Sequence, residues 1–523
     1  MEQEKQAYLV GAGIGSLAAA AFMIRDGKLR GEQIRIFEAL GVSGGSLDGA
    51  GNAQDGYRLR GGRMLTTDNY ECTWDLFQSI PSLRHPGQSV LDETLAFNEL
   101  HKSHSQARLV DRNRHKVDVK SMGFSLRDRM ELLKLHEADE AALGNSPITD
   151  HLSPEFFDTP FWYMWATTFA FQPWHSAVEF KRYLHRFMKE FARIETLAGV
   201  KRTVFNQYDS LVKPLQAWLL EQGVRIENGC TVSDIKLAGH AGDALLVEAI
   251  ELDRNGTREL LPVAPQDLVF FQNGSMTDAS SFGSMQSAPP KLDRHQSGGW
   301  QLWERLAQGR PQLGNPAAFN RNIAQSWWES FTVTLHDTEF FDQMQAFSGN
   351  VAGTGGLVTF KDSNWLMSVV LAHQPHFDNQ PEGVRVFWGY ALHPDRVGNF
   401  VAKPMAECSG AEILRELAGH LNFEMDVFAQ ANCIPCRMPY ITSMFMPRLH
   451  SDRPLPVPPG SRNLALVSQF VEVPDDVVFT VEYSVRAAQM AVYQLLGIER
   501  AIPPIKRHDK SLEVMLAALV KAA

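Results

Sequence analysis

Gly11-Ala12-Gly13-Ile14-Gly15-Ser16, directly after a short apolar run, carries the first chemistry legible in this chain. Glycines in such a turn let backbone lie against a diphosphate, and the N–H groups and dipole of the helix that follows favour negative charge. Gly11, Gly13 and Ser16 occupy the three fingerprint positions of a dinucleotide site, with serine in place of the last glycine. Glu38 ends the next strand-like run, where a carboxylate accepts from unphosphorylated ribose hydroxyls, which favours FAD or NAD over NADP. A second doublet, Gly44-Gly45-Ser46, and then Arg60-Gly61-Gly62-Arg63 are segments suited to run along a diphosphate and a flavin ring, so FAD is expected. Asn273 and Ser275, with Gln469, Phe470 and Thr480 later in the chain, are assigned to the same cofactor. Gly353-Thr354-Gly355-Gly356 precedes a strand-like run with no helix to offer a dipole, so no separate NAD(P)H unit is indicated.

The elements that position these groups follow from the pattern of apolar residues. Residues 7–10 read as a buried strand, 17–23 as a helix of small residues and 33–37 as a second strand, together a βαβ unit. Residues 70–208 read as mainly helical, 224–226 and 244–252 as strands, and 268–271 as a buried strand ending in a ligand loop. Residues 464–467 and 479–496 supply a late strand and helix. The expected fold is α/β: a discontinuous Rossmann-like FAD-binding domain, a mixed α+β substrate domain and a helical C-terminal region. The divisions are 1–80 and 221–287 for the cofactor domain, closed by 458–500; 81–220 for a helical substrate or lid region; 288–457 for the mixed substrate domain; and 501–523 for an amphipathic helix. Docking of that last helix on the protein's own core is the favoured reading, with contact at a membrane surface as the alternative.

The 523 residues, 44% apolar and 21% charged, fit a folded chain of several units. A net charge of −10 argues against a nucleic-acid partner. Five cysteines, no secretory leader pattern and no apolar run of spanning length point to a cytoplasmic protein. Cys433-Ile434-Pro435-Cys436 has redox spacing but reads better as two buried thiols, and the seventeen histidines show no metal-ligand spacing, so no metal is expected.

Segments from end to end of the chain make it resemble the oleate hydratases, the bacterial fatty acid hydratase family once called myosin-cross-reactive antigens. They include Gly44-Gly45-Ser46-Leu47-Asp48-Gly49, Tyr70-Glu71-Cys72-Thr73-Trp74-Asp75, Phe171-Gln172-Pro173-Trp174-His175-Ser176, Asn273-Gly274-Ser275-Met276-Thr277-Asp278 and Thr480-Val481-Glu482-Tyr483-Ser484. The resemblance implies a hydro-lyase that adds water to the cis-9 double bond of oleate, giving 10-hydroxystearate with FAD bound and no net redox change.

It also implies residue roles. Tyr183 matches the family's proton donor, although a tyrosine in such a helix would otherwise read as a packing residue. Met64 stands where typical members carry a water-activating glutamate. Water is then polarised by backbone carbonyls or the flavin, with Arg60 and Arg63 organising the loop, or Asp68 or Glu71 substitutes. At the carboxylate end, Gln207 and His376 are kept, whereas Val370 and Ala372 replace a threonine and an asparagine, and His373 could compensate. Family members are commonly homodimers with an extra amino-terminal arm; here the first strand comes almost at once, leaving monomer and homodimer both open. The alternative is a flavin-dependent oxidoreductase or desaturase acting on a long apolar substrate, motivated by the FAD signature and the missing glutamate.

Overall fold

The computed structural model describes residues 4–62, 64–239, 244–354 and 356–522. Two sheets dominate it. In the first, five parallel strands lie in the order Leu464–Leu466, Leu268–Phe271, Ala7–Val10, Ile34–Glu38 and Arg225–Asn228. Ala7–Val10 and Leu268–Phe271 are buried along their whole length, as expected of parallel strands covered on both faces. The helix Ile14–Arg25 returns across the sheet, and its buried run Ala18 to Ala21 permits close approach of the helix Val481–Leu496. Strands expected at 7–10, 33–37, 224–226, 268–271 and 464–467 are all found, with ends displaced by no more than two residues.

The second sheet has seven strands, in the order Ser281–Phe282, Asn432–Met438, Trp328–Leu335, Arg385–Ala391, Met367–Val370, Leu357–Phe360 and Leu109–Val110. Its pairings are antiparallel except the last. Cys433 and Cys436 lie on opposite faces of the strand Asn432–Met438 and belong to different clusters of core residues, because side chains three apart on a strand diverge. Both are free buried thiols, and burial pushes Cys436 up to about 12.

Buried ion pairs join the helix Ala177–Arg186 to the segments that follow Asn432–Met438 and Leu464–Leu466. Glu472 faces Arg182 at 2.8 Å and Arg448 at 3.0 Å. Burial alone would raise its carboxyl, but Arg182, Arg448 and Arg453 outweigh that and bring it down to about 2 from an ordinary 4.5. A carboxyl depressed in the folded state stabilises fully above its unfolded pKa. This contribution, on the order of 3 kcal/mol, is expected to disappear as pH falls from 4.5 towards 2. Urea midpoints measured across that range should fall more steeply for the native protein than for Glu472→Gln.

The C-terminal helix Leu512–Ala522 corrects the expectation that its apolar face docks on the core: none of its residues is buried. Leu512 is 72% and Val520 77% exposed, while Ala518 and Ala522 rest against the core and Lys521 pairs with Glu195 at 2.6 Å. Among the described residues no helix is long and apolar enough to cross a membrane.

Candidate active site

Gly13 caps the helix Ile14–Arg25 in an extended conformation, with no side-chain cap and no acidic residue in the first turn. The opening N–H groups of that helix are therefore available to an anion. Gly44 and Gly45 have φ of +112° and +58°, values that favour glycine, and the Gly44 N–H donates to the Ala12 carbonyl at 2.8 Å. A Cβ on Gly45 would stand 3.2 Å from Gly13 Cα, so the two glycine turns touch through backbone. Between them lies a cleft of about 570 Å³, lined on one side by Gly13, Gly15, Gly44, Gly45 and Ser46 and on the other by Ser275, Gln469, Phe470 and Thr480.

Other residues assigned to the cofactor lie behind this cleft. Gly11 makes the turn after the first strand, with φ +91°. Ser16 accepts from Gln272 Nε2 at 2.9 Å, and Asn273 Oδ1 accepts from Ser468 Oγ at 2.9 Å. Glu38 accepts from the Ala12 N–H at 2.7 Å and the Leu40 N–H at 2.9 Å, so it braces the glycine turn. Burial raises its carboxyl, opposed by those two bonds. Arg60 pairs with Asp48 at 3.2 Å, which suits organising the loop. Arg63 lies outside the described residues.

Two chambers adjoin the cleft. One, of about 820 Å³, is walled by Trp328, Leu357, Trp388 and Tyr390 and brings together Gln207, Val370, Ala372, His373 and His376, with Gly61 at its edge. The other, of about 690 Å³, is walled by Phe169, Phe187, Leu197 and Val200 and contains Tyr183. Gly62, Met64, Thr168 and Phe479 line both chambers, so Met64 stands at their shared boundary. Phe479 lines the cleft as well and holds φ +68°, a strained value for an aromatic residue. No sequence signal marked it.

The helix Ala177–Arg186 positions Tyr183, which is 1% exposed. Its ring meets Phe169 and Phe171 edge-on, at 5.1 and 5.0 Å, and its hydroxyl donates to the Val478 carbonyl at 2.6 Å. Asp68 is paired with Lys189 and Glu71 with Arg186, and neither lines a chamber. The geometry thus does not bring either alternative carboxylate to Tyr183.

At the polar end of the larger chamber, His376 is pushed down to about 3 by burial and by Arg202, and is neutral near pH 7. The His373 ring lies 4.5 Å from that of His101, tilted by 52°, and burial also lowers its pKa. Arg202, which the sequence reading missed, lines this chamber too. Asn98 grips its backbone on both sides, at 3.0 and 2.7 Å. Burial brings its guanidinium down to about 10.

A dinucleotide-type cleft in a parallel α/β sheet, opening beside two largely apolar chambers, defines the class of protein. The chain belongs to the MCRA family, whose model matches residues 4–493. It is 40% identical over 514 residues to a protein of Streptococcus pyogenes serotype M49 named oleate hydratase, covering 96% of this chain and 86% of that protein. It is 32% identical over 564 residues to a linoleate hydratase of Lactiplantibacillus plantarum, covering 99% and 98%. Among solved structures, cyclohexylamine oxidase from Brevibacterium oxydans superimposes with a TM-score of 0.55 at 12% identity, over 95% of this chain and 100% of that one. Putrescine oxidase bound to putrescine gives 0.52 at 11%, over 95% and 99%. At such identities these two show the fold alone.

Proposed function

We propose that this protein is a FAD-containing hydratase adding water to the cis-9 double bond of oleate and similar unsaturated fatty acids. The observation that carries the reading is the placement of Tyr183 in a largely apolar chamber, with the Glu190–Arg193 pair in its wall, that shares its boundary with a second chamber and with the glycine-lined cleft. The two hydratase relatives support the substrate class. The uncapped helix start and the touching glycine turns fit the diphosphate of FAD, with Glu38 bracing the first of those turns. When bound, FAD supplies an electron-rich aromatic surface beside the chambers.

In the reaction, the π electrons of the alkene form a C–H bond with the Tyr183 proton, and the adjacent carbon becomes cationic. The hydroxyl turns from the Val478 carbonyl to the substrate for this step. A phenol of ordinary pKa near 10 is a weak acid for an alkene, so exclusion of bulk water by the apolar walls must favour the charged transition state. Water then attacks the cation, and its surplus proton returns to the phenolate. Met64 cannot take a proton. Water is instead held by backbone carbonyls of the Gly61-Gly62 turn, which suffices because a nearly formed carbocation demands little base assistance.

The test is incubation of FAD-loaded protein with oleate in H₂¹⁸O, with product mass and oxygen uptake followed together. Hydroxystearate carrying one ¹⁸O with no oxygen consumption is expected. Turnover that scales with oxygen uptake would instead establish the flavin oxidoreductase reading.

A further inference from the structure

We propose that Arg202 is the group that reads the ionised carboxylate of the ligand, so that the larger chamber selects fatty acid anions over neutral lipids of the same shape. This rests on the fatty acid reading above and deepens it.

The guanidinium Nε and Nη2 of Arg202 are shut off from solvent and have no acceptor among the described residues. Arg453 also has two nitrogens without a hydrogen bond, but its Nη1 lies 3.0 Å from the Glu179 carboxylate, and other arginines are likewise provided for. Arg108 donates to the carbonyls of Leu357 and Ile194 and to Thr168 Oγ1, while Arg182, Arg186, Arg448 and Arg486 each face a carboxylate. Guanidinium nitrogens shut off from solvent without an acceptor are unfavourable, and the group stays charged. Its site therefore calls for an anion from outside the chain.

The surroundings agree. Neither aspartate nor glutamate lines the chamber, so nothing within it competes for the cation. Thr203, Gln207 and neutral His376 stand beside Arg202 as uncharged hydrogen-bonding groups. Room for the guanidinium depends on Gly356, with φ +79°, since a Cβ there would come within 2.6 Å of Nη2. Val370 and Ala372 contribute only apolar surface to the same wall. With no side-chain hydroxyl or amide at those positions, charge takes over the recognition. A planar guanidinium can meet both oxygens of a carboxylate at once, which a neutral amide or alcohol cannot reproduce.

Equilibrium dialysis of the FAD-loaded protein against oleate and against oleamide, its neutral isostere, tests this. The native protein is expected to bind oleate about 10²-fold more tightly than oleamide. In Arg202→Met that ratio should collapse to about one through loss of oleate affinity, and Arg202→Lys should restore part of it. A ratio near one in the native protein, or one unchanged in Arg202→Met, overturns the assignment while leaving the fatty acid reading intact. Failure of both lipids to bind removes the reading itself and the assignment with it. Should Arg202→Met not fold, the native ratio and Arg202→Lys still decide.

Discussion

Tyr183→Phe is expected to lower the rate of oleate hydration by about 10³-fold, within the range typical of removing a positioned general acid. The loss should fall on kcat and leave oleate affinity unchanged, because the proton is shared with the alkene only in the transition state. Folding should survive. The phenylalanine ring keeps the contacts to Phe169 and Phe171, and loss of the bond to the Val478 carbonyl costs about 1 kcal/mol. Steady-state rates beside dialysis with oleate separate the two quantities. Activity retained within a few-fold would remove Tyr183 from the chemistry.

What could be read from the residues alone divides along the range of the interactions. The βαβ unit and the strand 268–271 were legible because continuous burial and glycine punctuation are local signals. The glycine turns that line the cleft were legible for the same reason. The seven-stranded sheet was not: Trp328–Leu335 is buried at every position, so the alternation that marks a half-exposed strand is missing. Its last strand, Leu109–Val110, pairs with residues some 250 positions later. Arg202 was invisible for a related reason. What sets it apart is the lack of any neighbouring carboxylate, and that belongs to the chamber rather than to the sequence. The tail helix was misjudged because an apolar stripe announces that it could be covered without saying by what.

Arg186→Met should cause the largest loss of stability, about 3–5 kcal/mol, as expected when one partner leaves a buried ion network. Arg186 meets Glu71 at 2.6 Å and Asp476 at 3.1 Å, and Arg486 completes the cluster through Glu71, Asp476 and Glu482. Two guanidiniums thus serve three carboxylates. Burial already raises Glu482 despite Arg486 beside it, whereas Glu71, pushed up by burial, is brought below its ordinary value by Arg186. Without Arg186, three acids would share one cation, so the deficit should be greatest above neutral pH and shrink as acid protonates the surplus carboxylate. Function should suffer as well. Arg186 lies one turn beyond Tyr183, and Asp476 lies two residues before Val478, so this ion pair holds the phenol against its acceptor and fixes Phe479 at the meeting of the three cavities. Urea midpoints at pH 5 and pH 8, with hydration rates at a temperature where the variant stays folded, would check both parts. A variant as stable as the native protein at both pH values would show that the network contributes little.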